Sequence, residues 1–204
     1  MARWEPDARG RLEKAAMDLF VERGYANTTV GDIAERADLT ERTFFRYFTD
    51  KREVLFSGSK AIEDILVDVI SSAPKDAPAF ELVANAFEVA GAELQGRRDF
   101  SYVRARYAIV SEHAEVQERE LIKLASLAAA ITQALLARGV SQPDASLVAE
   151  AGIAVFKVGF DRWVNAKKPG ELATHIRAAV DVLKAVMAAP PQVAPTQRMS
   201  TKSK

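Results

Sequence analysis

The sequence predicts an all-α chain, built as a small three-helix unit followed by a larger helical body. Three observations carry this prediction. Apolar residues recur at helical spacing along most of the chain, no stretch alternates in the manner of a strand, and no repeat occurs at a fixed period. The length of 204 residues, at ~150 residues per domain, indicates between one and two domains.

The first unit holds one long and two short helices. One apolar stripe covers a helix over residues 6–23, which Gly24 ends. Thr29 is predicted to cap a second helix, with Asp32 as the acidic half of a capping box. Asp38 and Leu39 end that helix. Thr40 then caps a third helix over residues 41–48.

Six more helices are predicted in the body. Asp50 is expected to cap a helix over residues 51–72, which Pro74 ends. Helices over 79–94, 99–112, 116–138 and 143–166 follow. Gly139 ends the third of these, and Pro143 suits a first-turn position. A last helix covers 171–188, after the Lys-Lys-Pro-Gly segment at 167–170.

These elements give three predicted segments. Residues 6–52 form the first domain and residues 53–189 form the helical body. Residues 190–204 (PPQVAPTQRMSTKSK) lack periodicity and are rich in proline and polar residues, so a disordered tail is expected there.

Composition excludes several classes of protein. The chain has no cysteine, which removes disulfides, iron–sulfur clusters and Cys-based zinc sites. The longest run without a charged residue, 124–137, falls short of the ~18 residues that suggest a membrane span. The N-terminus has no apolar signal-peptide region. A cytoplasmic location without membrane association is therefore expected.

Charge alone does not nominate a partner. The 28 basic and 28 acidic side chains balance, so a domain-wide basic excess for nucleic-acid binding is absent. Between residues 36 and 52, however, five basic residues stand against three acidic ones. A mildly positive face with few phosphate contacts, and a moderate salt dependence of binding, would follow if this segment contacts DNA.

The two short helices have the spacing of a helix-turn-helix. Six apolar residues are expected to hold them together: Ile33, Ala34, Ala37, Leu39, Phe44 and Phe48. Such a pair also arises where two short helices merely pack in a corner. In a DNA-binding helix-turn-helix, the second helix enters the major groove with its N-terminal residues leading.

Residues 12–56 resemble the DNA-binding domain of TetR-type transcriptional regulators. The motifs are AMDLF at 16–20, GY at 24–25, TTV at 28–30, IA at 33–34, ADLT at 37–40, TFFRYF at 43–48 and Lys51. The segment ERTFFRYF at 41–48 resembles the actinobacterial branches of that family. The body, especially 104–161, weakly resembles the mycofactocin-system regulators within it. The resemblance implies a homodimer, usually a repressor, with a ligand-binding helical body.

Roles for individual residues follow from the match. Arg42 and Thr43 are expected at base edges, while Thr29, Thr40, Tyr47 and Lys51 are placed for phosphates. Arg46 could do either, or pair with Asp50. Many relatives carry a small residue where Arg42 stands, so Arg42 is expected to add a guanine contact. Phe45 replaces a common tyrosine and keeps only packing or a thymine-methyl contact.

The last two helices are predicted to form the dimer contact. The resemblance implies a four-helix bundle made with a second copy, an isologous contact that sets the two reading helices about one DNA turn apart. The alternative is that both apolar stripes are core within one chain. On the dimer interpretation, Trp163→Glu should leave a monomer. The residues proposed for the contact are Val155, Phe156, Gly159, Trp163, Val180 and Leu183.

A ligand pocket is expected between residues 80 and 138, with one contribution from the following helix. An apolar pocket with few polar anchors suits an elongated apolar effector with an anionic end, such as a fatty acyl compound. Arg104 and Arg106 do not share a helix face, so at most one points inward. The proposed lining is Phe87, Tyr102, Arg106, Tyr107 and Phe156.

An enzyme is not expected, and no cofactor or metal is predicted. The segment from Gly91 to Gly96 has the glycine spacing of a phosphate-binding loop but lacks its lysine and its preceding strand. His113 and His175, the only histidines, lie far apart in the sequence. The stronger alternative to a double-stranded-DNA regulator is a helical adaptor, which would leave the form of residues 40–51 unexplained.

Overall fold

The computed structural model describes residues 7–188 and is helical throughout, as the sequence predicts. Within this range there is no strand. The predicted tail at 190–204 and the predicted helix start at residue 6 lie outside the described residues. The helices are α1 (Ala8–Arg23), α2 (Val30–Arg36), α3 (Glu41–Tyr47), α4 (Ser59–Ser72), α5 (Ala79–Arg97), α6 (Phe100–Glu112), α7 (Ala114–Ala137), α8 (Gln142–Val164) and α9 (Leu172–Ala188).

Helices α1 to α3 pack around one apolar cluster, which we call the head. Gly24, at φ 87°, ends α1, and its N–H donates to the Phe20 oxygen. The predicted capping box is present, because Thr29 accepts from the Asp32 N–H while Asp32 accepts from the Thr29 N–H. Asp38 adopts the left-handed φ of 55° in the turn before α3, a conformation that aspartate tolerates better than most residues.

The predicted helix over 51–72 is wrong in its first part. A 3-10 turn at Glu53–Phe56 is followed by Gly58, and α4 begins only at Ser59. Asp50 does act as a cap, but of this turn, since its Oδ1 accepts from the Arg52 and Glu53 N–H groups. Val54, Leu55 and Phe56 are buried in the cluster of the head. These three residues follow the predicted boundary at residue 52 and pack with the apolar residues of α1 to α3.

Helices α4 to α9 form the body around a second, larger apolar cluster. Glycine permits close helix packing at two places on α8. A Cβ on Gly159 would lie 2.8 Å from the Ile176 Cα of α9, and one on Gly152 would lie 2.5 Å from the Val83 side chain of α5. Larger residues would therefore push α8 away from its neighbours.

Helix α7 is the one helix, among the described residues, that is long and apolar enough to cross a membrane by length and composition. This is weak evidence, since helices of soluble proteins pass the same test. Here α7 packs against α4, α6 and α8.

Candidate nucleic-acid interface and effector site

Helix α3 and its cap carry most of the side chains predicted to contact DNA, whereas Thr29 caps α2 and Lys51 follows α3 in the chain. Thr40 caps α3, because its Oγ1 accepts from the Thr43 N–H at 3.2 Å, and the two hydroxyls lie 3.0 Å apart. Phe44 is fully buried beneath the helix, whereas Phe45 is 55% exposed. Arg42 is exposed. The surface is polar at its N-terminal end, where Arg42 stands next to Glu41, and the apolar side chain of Phe45 is exposed beside it.

Arg46 and Tyr47 form a pair at the end of α3. The Arg46 Nη2 donates to the Tyr47 hydroxyl at 2.9 Å, and the guanidinium lies 4.9 Å from the ring centroid. The alternative partner for Arg46, Asp50, is bound instead by Arg52 at 2.7 Å. Arg46 and Tyr47 therefore reach solvent as one unit.

Lys51 is more enclosed than we expect for a side chain that contacts a DNA phosphate. Its Nζ donates to the backbone oxygens of Tyr25 and Thr28, at 2.7 and 2.9 Å, and sits 4.3 Å from the Tyr25 ring centroid. Burial lowers the pKa of Lys51. Two of the three N–H donors of Lys51 thus bind the segment between α1 and α2. The third N–H remains available for a phosphate.

Thr28, for which the sequence predicted no individual role, is buried in the same segment. Its hydroxyl donates to the Gly24 oxygen at 2.9 Å and so closes the loop between α1 and α2. The only sequence signal for this role is the position of Thr28 directly before the Thr29 cap.

The head joins the body through α6 and the first part of α7. Ile109, Val110 and Val116 are buried in the cluster of the head. Arg106 donates from Nε to the Leu55 oxygen at 2.6 Å and from Nη2 to Glu120 at 3.2 Å. Arg106, a predicted pocket residue, therefore faces the head, because its guanidinium donates a hydrogen bond to a backbone oxygen of the 3-10 turn.

Glu53 of the same turn forms two ion pairs with α7. Arg119 binds one carboxylate oxygen, and Lys123 lies 3.5 Å from the other. The hydrogen bond from Arg119 is the main cause that lowers the pKa of Glu53, against a smaller opposing effect of burial. The carboxylate thus remains charged in the junction.

The body contains a continuous row of aromatic rings. Phe100 meets Trp163 at a centroid distance of 4.9 Å, Trp163 meets Phe160 at 5.7 Å, Phe160 meets Phe156 at 5.7 Å, and Phe156 stacks on Phe87 at 5.3 Å. Tyr107 joins this row at Phe160. Three predicted pocket residues, Phe87, Tyr107 and Phe156, therefore lie in one group.

The other two predicted pocket residues lie elsewhere. Tyr102 packs between the clusters of head and body, with the Arg98 guanidinium 4.7 Å from its ring centroid, while Arg106 faces the 3-10 turn. Burial raises the pKa of Tyr102. Arg104, two residues away from both, is exposed beside Phe100.

Most of the side chains predicted for the dimer contact pack inside the protomer. Val155, Gly159, Trp163 and Val180 are buried, and the Trp163 Nε1 donates to the Gly170 oxygen at 3.2 Å. Phe156 and Leu183 are half-buried against the same core. The alternative of intrachain core thus describes these residues better, because their stripe faces the groove between α8 and α9.

A different stripe of α8 is exposed. Leu147, Ala154 and Val158 follow one another at helical spacing, with Leu147 69% and Val158 45% exposed. On α9, Val182 and Val186 are 45% and 67% exposed. These exposed residues form an apolar face on the last two helices.

In the described part of the chain, no group of three or more His, Asp or Glu side chains is arranged to hold a metal ion.

An exposed, Thr-capped α3 that follows α2 on a three-helix head is the arrangement of a helix-turn-helix. Residues 12–57 match the family model of bacterial regulatory proteins, tetR family. The head of this chain is therefore similar to the DNA-binding domain of the TetR family.

A curated relative shows the same likeness. The regulator TcmR of Streptomyces glaucescens is 33% identical over 93 residues, which cover 43% of this chain and 41% of TcmR. The alignment therefore spans about two-fifths of that relative's length. The weak resemblance to mycofactocin-system regulators stays a prediction.

Solved structures extend the likeness to the body. Thermus thermophilus FadR, a repressor solved with lauroyl-CoA, has a TM-score of 0.55 and 26% identity, covering 92% of this chain and 98% of FadR. A TetR-family regulator of Syntrophomonas wolfei has a TM-score of 0.64 and 19% identity, with 92% and 98% coverage.

Proposed function

We propose that this protein is a cytoplasmic, ligand-responsive transcriptional regulator that binds a near-palindromic operator as a dimer and represses until an effector releases it. The observation that carries the proposal is the exposed surface of α3, where Arg42, Thr43 and Phe45 reach outward from a helix anchored by the buried Phe44. A buried anchor with outward polar side chains is the arrangement that reads base edges in the major groove.

Selection of bound fragments from random duplex DNA at near-physiological salt tests this function. Enrichment of a short inverted repeat is expected, since two copies related by a twofold axis read two half-sites. A matched control is the Thr40→Ala, Arg42→Ala double variant, which should enrich nothing. If the folded wild-type protein enriches no sequence, the helical adaptor becomes the better assignment.

The exposed apolar face of α8 and α9 supports the dimer. Its residues Leu147, Ala154 and Val158 are spaced by seven and four, so they lie on one side of α8. Apolar faces of this kind on the last helices suit an isologous four-helix contact with a second copy. We therefore assign the contact to the exposed stripe rather than to the buried one around Trp163.

The aromatic row supports an apolar effector site between α5, α6 and α8. Aromatic rings can separate to admit an elongated apolar ligand while they keep contact with its sides. FadR, solved with lauroyl-CoA, makes a long-chain acyl compound the first effector to test. Release of operator DNA by lauroyl-CoA, measured by fluorescence anisotropy, is the expected result; acetyl-CoA serves as the matched control without the long chain.

The response is proposed to travel through α6. One side of this helix contributes Tyr107 to the aromatic row, and another contributes Arg106, Ile109 and Val110 to the junction with the head. A shift of α6 would therefore reach the head directly and would also pull on the 3-10 turn before α4. The effector must favour the released state by about 1–3 kcal/mol to act as an inducer.

A further inference from the structure

Glu13 of the head is a nearly buried carboxylate that depends on an arginine of the body. Its side chain is 9% exposed and accepts from the Arg9 Nε at 3.1 Å and from the Arg98 Nη2 at 2.5 Å. Arg9 belongs to the same helix, α1, whereas Arg98 is the C-terminal cap of α5. One of the two cations that neutralise Glu13 therefore comes from across the junction.

Arg98 also lines a cleft that is open to solvent. The cleft has a volume of about 300 Å³ and lies at the turn from α5 to α6, with walls made by Gln95, Gly96, Arg97, Arg98, Asp99 and Tyr102. A Cβ on Gly96 would meet no atom within 4 Å, so this wall is open. Arg97 is half exposed and faces Glu93 of its own helix at 3.6 Å.

The cleft lies next to the first residue of the aromatic row. Phe100 follows Asp99 directly and meets Trp163 edge-on, while Arg104 stands 5.9 Å from the Phe100 centroid. The lining of the cleft contains two arginines, Arg97 and Arg98, and one carboxylate, that of Asp99. Arginines beside an aromatic ring suit a ligand that has an anionic group attached to an apolar chain.

We propose that this cleft binds the anionic head of an amphiphilic effector, a carboxylate or phosphate, and that the effector competes with Glu13 for Arg98. The proposal rests on the ligand response proposed above. An arginine fork that turns to the effector leaves Glu13 with Arg9 alone in a nearly buried site. Binding of the anion and docking of α1 against the body therefore oppose each other.

Calorimetric titration of the full chain with dodecanoate, lauroyl-CoA and dodecanol, below their aggregation concentrations, tests the proposal. The wild-type protein should bind dodecanoate about tenfold more tightly than dodecanol, the ratio that one charge-assisted hydrogen-bonded pair supplies. Arg98→Gln should remove this ratio and leave dodecanol binding unchanged. Comparison of dodecanoate with lauroyl-CoA shows whether a free carboxylate or a CoA phosphate is the better head group.

Three further variants separate competition from simple charge attraction. Glu13→Gln should tighten dodecanoate several-fold, because Arg98 is then free for the ligand. Arg97→Gln, the matched neighbour without a partner in the head, should weaken dodecanoate less than Arg98→Gln does. Arg98→Lys keeps the positive charge but lacks the forked guanidinium, so its ratio of dodecanoate to dodecanol affinity should be intermediate. This variant serves as a second test in case the glutamine variant misfolds.

The proposal is overturned if Arg98→Gln keeps the wild-type ratio, if Glu13→Gln leaves dodecanoate affinity unchanged or lower, or if none of the three amphiphiles binds. Failure of the regulator function is a separate outcome. In that case the DNA selection enriches nothing, while the dodecanoate ratio and its loss in Arg98→Gln persist.

Discussion

The Arg106 Nε of α6 donates a 2.6 Å hydrogen bond to the backbone oxygen of Leu55, in the 3-10 turn that leads from the head to α4. The same guanidinium lies 5.0 Å from the Phe56 ring centroid. Head and body thus share polar and apolar contacts at one side chain. In a regulator of the kind proposed above, a contact of this kind would carry a displacement of the body to the head.

Arg42→Ala is expected to relax specificity at one base position. An exposed arginine near the start of α3 can donate two hydrogen bonds to a guanine, so its loss should cost about 1–3 kcal/mol at that position only. Competition binding against single-base operator variants measures this. Arg36→Ala is the control, since Arg36 is bound to Glu22 in the head; a loss of equal size on all sequences from Arg42→Ala would argue against base reading.

Lys51→Ala is expected to destabilise the head by about 1–3 kcal/mol, because two backbone oxygens, those of Tyr25 and Thr28, lose their buried donor. Denaturant unfolding measures the loss, with Arg42→Ala as an exposed control expected to stay within about 0.5 kcal/mol. If the remaining N–H of Lys51 contacts a phosphate, the substitution would also reduce the salt slope of DNA binding by about one ion. Unchanged unfolding of Lys51→Ala would contradict the structural role.

Val158→Asp is expected to give a folded monomer with weak operator affinity, because it places a charge in the exposed apolar face of α8. Sedimentation velocity and circular dichroism separate loss of the dimer from loss of the fold. Val21→Asp, at a 67% exposed valine of α1, is the control and should leave the dimer intact. Trp163→Glu should instead unfold the body, since the indole is buried; a dimeric Val158→Asp would place the contact elsewhere.

Glu53→Gln is expected to lower stability at neutral pH by about 1 kcal/mol or less, through loss of the ion pairs with Arg119 and Lys123. The pKa of Glu53 is lowered in the folded protein, so the stabilisation is full above its ordinary value of 4.5 and is lost as pH falls through the lowered pKa. Thermal unfolding of both proteins across this range should therefore converge in acid. The control is Glu118→Gln, at an exposed neighbour on α7, whose stability should follow that of the wild type at every pH. A difference in stability between Glu53→Gln and the wild type that persists in acid would exclude the ion pairs as its cause.

Local sequence signals were sufficient for the order of the helices and for the exposed face of α3. The Thr29 and Thr40 caps, the Gly24 stop and the buried Phe44 depend on neighbours within a few residues, so spacing alone identifies them. Family resemblance added the expected roles of Arg42 and Thr43. These roles remain predictions.

Long-range contacts decided the remainder. An apolar stripe on α8 faces either its own α9 or a second copy, and periodicity cannot distinguish them; the close approach at Gly159 buries Trp163 and leaves Val158 outside. An arginine in an amphipathic helix can likewise face a ligand or a neighbouring domain. Arg106 faces the head because a carbonyl some fifty residues earlier in the chain, that of Leu55, comes within hydrogen-bonding distance only when the tertiary structure forms.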